Sequence, residues 1–387
     1  MLICNGVWAV PGVFMMRLMR PIRFFRICEI WSERIGHFVS DISEHIGRIY
    51  EKNNRYVDLY YFIKVSNTQW EKMVRRSKLI VVPNWVKYLD RWNRKIPGGS
   101  SHSLPSSLTK SRDTEGLFSK FDCSIPFLSS EKIECENWLK TKGWCMGEPF
   151  VVFLVRDTAY QSEFLPSSRD WDYHNYRNSD IETYLPAMQW LADQGVWVLR
   201  MGKTMNNRLK LENEKIIDYS FDQNKSDLLD IWLFSNCKAV VSTGSGLDIL
   251  GPVYKIPILM INFLPLDHLW SFHAGMFLPK KLFWRQKKSY LNISDMLENS
   301  FLRSDEYLDS GIEIIDLTAE EILECVKNFW NVFNDDIKLE DRHRNLNEKF
   351  WKILENNRNY MLANKWRHPN SYVSSTILNT IGEDLLR

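Results

Sequence analysis

Three short runs of this 387-residue chain bring cations, hydroxyls and glycines together in a way that suits phosphate: Val155-Arg156-Asp157, Leu199-Arg200-Met201-Gly202-Lys203 and Ser242-Thr243-Gly244-Ser245-Gly246. An Arg matches phosphate oxygens through its two-pronged donor geometry, and it resists burial unless an anion or carboxylate meets it. A Gly/Ser turn that opens a helix offers backbone N–H groups and the positive end of a dipole, for which a diphosphate is the natural occupant. Tight strand-to-helix connections also want Gly and an N-cap hydroxyl, and the Arg residues could pair internally with Asp157, Asp180 or Asp218. Three strand-end cations beside one such turn favour the phosphate site. The spacing is neither G-x-G-x-x-G after a first strand nor G-x-x-x-x-G-K-[ST], so it argues for neither a dinucleotide fold nor a P-loop.

Three further groups lie near these runs in sequence. Tyr176-Arg177-Asn178-Ser179-Asp180 precedes a helix; Ser179 or Asp180 can cap it, leaving Tyr176, Arg177 and Asn178 for substrate. Asp227 and Asp230 stand three apart on one helix face, suited to contact with the neighbouring turn, to a ribose or to a solvated edge. Asp170-Trp171-Asp172 has the D-x-D form that holds Mn²⁺ and a nucleotide in metal-dependent transferases, but it sits in a polar loop where that motif normally follows an apolar strand.

The elements that must position these residues are readable in the alternation of apolar runs and amphipathic segments. A helix is expected at 130–142, a strand at Phe150–Val155, a helix at 181–194, a strand at Val196–Met201, a short strand near Ile216, a helix from Ser226 to Phe234, a strand at Lys238–Ser242, a helix to Tyr254 and a strand at Pro257–Asn262. Buried strands alternating with helices imply an α/β fold with a parallel sheet, which binds ligands at the carboxyl ends of its strands. Helices are expected at 318–333, 341–364 and 373–386, and a further strand at Lys78–Pro83. The run at 97–113, rich in Gly, Ser and Pro, reads as a loop or linker.

Composition narrows the function. With 50 Lys plus Arg against 48 Asp plus Glu, the net charge of +2 gives no field for nucleic acid. The 7 Cys contain no C-x-x-C and the 8 His no H-E-x-x-H, so neither a disulfide framework nor a zinc site is expected, and a reducing cytoplasm fits. Residues 1–16 are apolar and Arg17, Arg20, Arg23 and Arg26 follow. That order is wrong for an export signal, and the run is too short to span a bilayer. It reads either as a membrane-surface segment over residues 1–27, with Ile22, Phe24, Phe25 and Ile27 entering the interface, or as a helix packed on the protein with a basic edge.

The motifs Arg200-Met201-Gly202, Ser226-Asp227-Leu228-Leu229-Asp230, Cys237-Lys238, Ser242-Thr243-Gly244-Ser245-Gly246, Pro257-Ile258-Leu259 and Asn262 are similar to those of a bacterial family of surface-polysaccharide glycosyltransferases. Arg34-Ile35-Gly36-His37 and the run 176–180 resemble its motifs too. The resemblance covers most of 34–270. It implies a GT-B architecture, two Rossmann-like domains facing across a cleft: a basic apolar leader at 1–33, an acceptor-side domain at 34–125, a nucleotide-sugar-binding domain at 126–335, and C-terminal helices at 336–387 packing back. Fucosyltransferase-like proteins carry His-x-Arg where this chain has Leu154-Val155-Arg156, so a fucose donor does not follow.

The expectation is therefore a metal-independent, cofactor-free glycosyltransferase, peripheral on the cytoplasmic face of the membrane, moving sugar from a nucleotide sugar to a glycan or lipid-linked acceptor. Donor contacts fall to Arg156, Arg200, Gly202, Lys203, Ser242, Thr243, Gly244, Ser245, Gly246, Asp227 and Asp230, and substrate contacts to Tyr176, Arg177, Asn178 and Asp180. The catalytic base is Asp157 or His37. The alternatives are a Mn²⁺-dependent GT-A-like transferase using Asp170 and Asp172, and a non-catalytic membrane-associated scaffold.

Overall fold

The computed structural model describes residues 2–51, 55–159, 172–334, 341–377 and 386. The chain divides into two compact units, the first comprising residues up to 113 with 117–128, the second residues 114–116 with 129–387. Each is built on a parallel sheet, so the α/β class expected from the alternating pattern is the observed one.

Unit 1 holds β1 (Phe24–Glu29), β2 (Tyr56–Tyr61), β3 (Ile80–Val81) and β4 (Ser103–Leu104) in the order β3-β2-β1-β4, every pair parallel. The expected leader at 1–33 is thus corrected: its second half is a central strand, with Ile27 and Phe24 buried and unavailable to a bilayer. Arg26 faces Asp58 across the β1/β2 register and binds both its oxygens at 2.8 and 3.0 Å. Its charge serves the sheet. The first helix, Leu2–Leu18, packs through Ala9, Val13 and Met16 on the helix Val86–Lys95. Gly6 and Gly12 allow the approach, since a Cβ at either would stand 2.8 Å from Trp92 or Leu89. Arg17 ties the helix end to the carbonyls of Asn93, Ile96 and Pro97. No helix among the described residues is long and apolar enough to cross a membrane.

The run 97–113 is no linker. It contributes β4 and then lies along the helix Ile35–Ile49, where Ser106, Ser107 and Leu108 bond to the buried carboxylates of Asp41 and Glu44. Polar contacts there replace the apolar core the sequence lacks.

Unit 2 holds β5 (Phe150–Leu154), β6 (Trp197–Arg200), β7 (Ile216–Ile217), β8 (Ala239–Ser242), β9 (Ile258–Phe263), β10 (Gly275–Pro279) and, after a small antiparallel sheet of β11 (Lys281–Trp284), β12 (Ser289–Tyr290) and β13 (Ile312–Ile315), the strand β14 (Ser371–Val373). The seven-stranded sheet runs β14-β10-β9-β8-β5-β6-β7, all parallel. Strands β5, β6, β8, β9 and β10 are buried throughout, which is why they read as continuous apolar runs. Counted from β5, six of them give the order 3-2-1-4-5-6 of a Rossmann sheet, whose switch point lies between β5 and β8. The C-terminal part forms helices Asp341–Asn356 and Arg358–Ala363, but the helix expected from 373 begins instead as edge strand β14, and most of its remaining length lies outside the described residues.

Candidate functional site

The chain leaves β5 at Arg156 and β8 at Thr243, side by side at the switch point. Thr243 Oγ1 accepts the Arg156 N–H at 3.0 Å, and Thr243 N–H donates to Leu154, so the two exits are locked together. The segment 176–179 crosses them. Arg177 Nη2 donates to the Gly244 carbonyl at 2.9 Å, and Ser179 N–H donates to the Arg156 carbonyl at 3.0 Å. The strap is held from behind: buried Lys280 donates to the Asn178 carbonyl and to Asp316, both at 2.6 Å, while Ser304 accepts the Tyr176 N–H. Gly244 is needed in the turn, with φ +90° and the Phe263 ring 3.0 Å from where a Cβ would stand.

This arrangement brings Arg156, Tyr176, Arg177, Asn178, Thr243 and Gly244 together. Among the described residues the Arg156 guanidinium has neither a hydrogen-bond acceptor nor a carboxylate. Burial, with the repulsion of Arg177, pulls its pKa down to about 10, against a smaller opposing effect of Tyr176. Two guanidinium groups thus stand together at the strand ends, Arg156 with no acid among the described residues and Arg177 acting on buried Asp248.

The turn itself offers fewer donors than its sequence suggests. Gly244 N–H is taken by Ser242 Oγ and Ser245 N–H by Asp248, in addition to the Thr243 bond above. Gly246, which opens the following helix, is the one position of the run 243–246 whose N–H meets no acceptor among the described residues. Asp248 is fully buried, also receives Ser242 Oγ at 2.8 Å, and is pushed up to about 7 by burial against these hydrogen bonds. Its charge is thereby reduced near neutral pH. The S-x-x-D spacing from Ser245 to Asp248 is the signal that could have identified it.

Other expected site residues lie elsewhere. Arg200 is 1% exposed and sealed: its Nη1 meets the Asn207 carbonyl at 2.7 Å and Asp218 at 3.2 Å, and its guanidinium lies over Phe221. It is the internal ion pair, not a donor contact. Asp157 spends both carboxylate oxygens on backbone, accepting Ala159 N–H at 2.9 Å and Asn206 N–H at 2.8 Å, which fixes two loops to each other and leaves it poorly suited to act as a base. Gly202 is buried against Met205, and Lys203 is exposed. Asp230 receives Tyr219 Oη at 2.8 Å, and burial raises it to about 6 despite that bond, with Asp227 adding repulsion. Asp180 caps its own helix by accepting Glu182 N–H. Asp170 lies outside the described residues, as does the side chain of Asp172. Among the described residues no cluster of His, Cys, Asp and Glu could hold a metal ion.

His37 belongs to unit 1, in the first turn of the helix Ile35–Ile49. Its ring stacks on Trp31 with centroids 4.2 Å apart and planes 6° apart, and its Nδ1 lies 2.7 Å from Ser111 Oγ. Burial holds its pKa below the ordinary histidine value, with Asp41 opposing and Arg34 adding to the effect.

No protein-family model and no curated protein sequence matches the chain. Among solved structures it is similar to the glycosyl transferase family 9 protein of Veillonella parvula (10% identity, 67% of this chain and 86% of that one, TM-score 0.43). It is also similar to E. coli ADP-heptose LPS heptosyltransferase II (13% identity, 66% and 90%, TM-score 0.37) and to a second E. coli heptosyltransferase solved with ADP (13%, 66% and 91%, TM-score 0.33). All three are bacterial glycosyltransferases, the class whose motifs this sequence resembles. Likenesses this distant carry no argument about activity, which is read from the site.

Proposed function

We propose that this chain is a glycosyltransferase that moves a sugar from a nucleotide-sugar donor to a glycan or lipid-linked acceptor, with the donor diphosphate seated at the β5/β8 switch point of unit 2. The observation that carries the reading is Arg156: a desolvated guanidinium beside a second one, at the ligand-binding end of a Rossmann sheet, with no acid among the described residues to balance it. A half-buried cation without a counter-charge is costly, and a diphosphate removes that cost while gaining charge-assisted hydrogen bonds. As the glycosidic bond to the donor breaks, negative charge grows on the departing diphosphate, and Arg156 and Arg177 meet it there. Lys203, Asp227 and Asp230 are not needed for this.

Because guanidinium groups supply the compensating charge, EDTA should leave activity intact. Loss of activity in EDTA and recovery with Mn²⁺ would favour the alternative built on Asp170 and Asp172. A thermal-shift panel of UDP-, GDP-, ADP- and CMP-sugars tests the reading, since a ligand bound to the folded state raises the midpoint by mass action. Silence across the panel would leave the non-catalytic scaffold. We place the protein on the cytoplasmic face of the membrane. In support, the first helix turns Phe14 (57% exposed), Leu18 (82%), Val7 and Met15 to solvent, with exposed Ile22, Arg20 and Arg23 just beyond.

A further inference from the structure

One carboxyl lies inside the Gly/Ser turn of unit 2 without offering a donor ligand any contact of its own. Asp248 is 0% exposed, in the single helical turn Gly246–Ile249 that the run 242–246 opens. Its Oδ2 accepts the Ser245 N–H at 2.5 Å and the Ser242 hydroxyl at 2.8 Å, and Ser242 Oγ in turn accepts the Gly244 N–H at 3.2 Å. Through these bonds one oxygen fixes the backbone on both sides of Gly244. Oδ1 differs: it is buried and meets no hydrogen-bond donor among the described residues.

An ionised carboxylate accepts at both oxygens, about four sites in all. Here one oxygen is served twice and the other not at all, in the interior, where unanswered charge is costly. The neutral acid fits better, and with Oδ2 filled its proton is carried on Oδ1. Burial accordingly lifts the carboxyl to about 7, with the bonds from Ser245 and Ser242 and the charge of Arg177 opposing. Among the described residues Arg177 is the one charged group that acts on Asp248. The other ionisable groups nearby face elsewhere. Arg156 and Tyr176 act on each other, and Asp157 is spent on the backbone of Ala159 and Asn206. On the helix Asp227–Asn236, packed against the helix Leu250–Tyr254 that continues from Asp248, Asp230 is set against Asp227, Lys203 and Lys225. Lys255, past the end of that helix, is exposed.

Arg177 donates to the Gly244 carbonyl at 2.9 Å, so the cation that acts on Asp248 is anchored in the same turn and is the one expected to meet the diphosphate. Two anions then draw on one cation. We propose that Asp248 is a positioning residue through which the donor site is linked to a proton: as the neutral acid it holds the turn and leaves the Arg177 charge to the diphosphate, and as the carboxylate it competes for that charge. The assignment rests on the glycosyltransferase reading above. Binding and protonation are reciprocal. A diphosphate beside the turn disfavours a further negative charge, the carboxyl holds its proton more tightly, and the complex takes a proton up from solvent. Affinity is therefore highest below pH 7 and falls as pH rises through it. Arg156, near 10, keeps its charge over the same window.

Isothermal titration of the full chain with the panel's best nucleotide sugar, at pH 7 in two phosphate-free buffers of different ionisation enthalpy, counts the protons. The ligand's own phosphates ionise far below this pH and exchange none. The expected result is an uptake of roughly 0.3–0.5 proton per site, with affinity about two- to fivefold weaker at pH 8 than at pH 6. Asp248→Asn, which keeps the shape of the neutral acid, should bind with no uptake and with one affinity at both pH values. No uptake in the wild type, release in its place, or an uptake that survives in Asp248→Asn overturns the proposal. Should Asp248→Asn not fold, carboxyl ¹³C shifts of the aspartate-labelled wild-type chain replace it: a midpoint near 7 that rises when the nucleotide sugar is added supports the assignment, and the absence of any such rise overturns it. Failure of the wild type to bind any nucleotide sugar would overturn the glycosyltransferase reading itself, whereas binding without proton uptake overturns only the role of Asp248, so the two failures are distinguishable.

Discussion

Two arginines that look alike in sequence, each closing an apolar strand, take opposite roles because of what faces them. Arg200 meets Asp218 and the Asn207 carbonyl in the interior, whereas Arg156 meets no acid among the described residues. Arg200→Met leaves Asp218 without its cation, and stability should fall by roughly 3–5 kcal/mol in urea unfolding, with nucleotide affinity unchanged in the folded fraction. Asp248 gives a pH signature of the turn. Its carboxyl ionises near 3.8 ordinarily and near 7 in the fold, so the folded state holds the extra proton between those values. Stability contributed here falls as pH rises from about 4 to about 7 and levels off above. Asp248→Asn should flatten that slope in midpoints measured at several pH values, and an unaltered slope would assign it to another group. The sequence offers Asp218 as one of several possible partners but does not assign it, because it lies 18 residues from Arg200 and is brought there only by the fold.

Element by element, what could be read from the chain is what depends on local pattern. The strands of unit 2 that are buried on both faces were legible as apolar runs, and the helix from Asp227 with Ser226 as its N-cap was legible from its hydroxyl start. Strand β1 was not, because Arg26 gave it the look of a basic leader, and only the register with β2 supplies Asp58. Nor was the role of 97–113, whose serines find Asp41 and Glu44 more than 60 residues away. For the site, the residue types after β5 and β8 were legible and their adjacency was not, since it follows from strand order. The first helix keeps both halves of its expected character: one side packs on the helix Val86–Lys95, and the other remains apolar and exposed. Phe14→Glu with Leu18→Glu should therefore weaken sedimentation with anionic vesicles by at least about tenfold. Equal sedimentation of the double variant would remove the helix from membrane binding.

Over the whole molecule, one winding occurs twice without any sequence repeat. Unit 1 runs 3-2-1-4 and unit 2 runs 3-2-1-4-5-6 with an added edge strand, so each has a switch point where its first and fourth strands leave the sheet. Each place has its own character: in unit 2 cations stand where β5 and β8 end, and in unit 1 a crevice opens at the ends of β1 and β4. The net charge of +2 averages over this division and says nothing of either place. The claim on which the rest depends is that the donor diphosphate is taken at Arg156, where β5 ends. Isothermal titration of the panel's best nucleotide sugar into the wild-type chain and into Arg156→Ala tests it most directly. The account predicts binding to the wild type, weakened roughly 10–100-fold in the variant, as expected for losing a charge-assisted contact, with no loss of thermal stability in the free protein, because among the described residues the removed cation has no acid to abandon. Equal affinity in the two chains would contradict it.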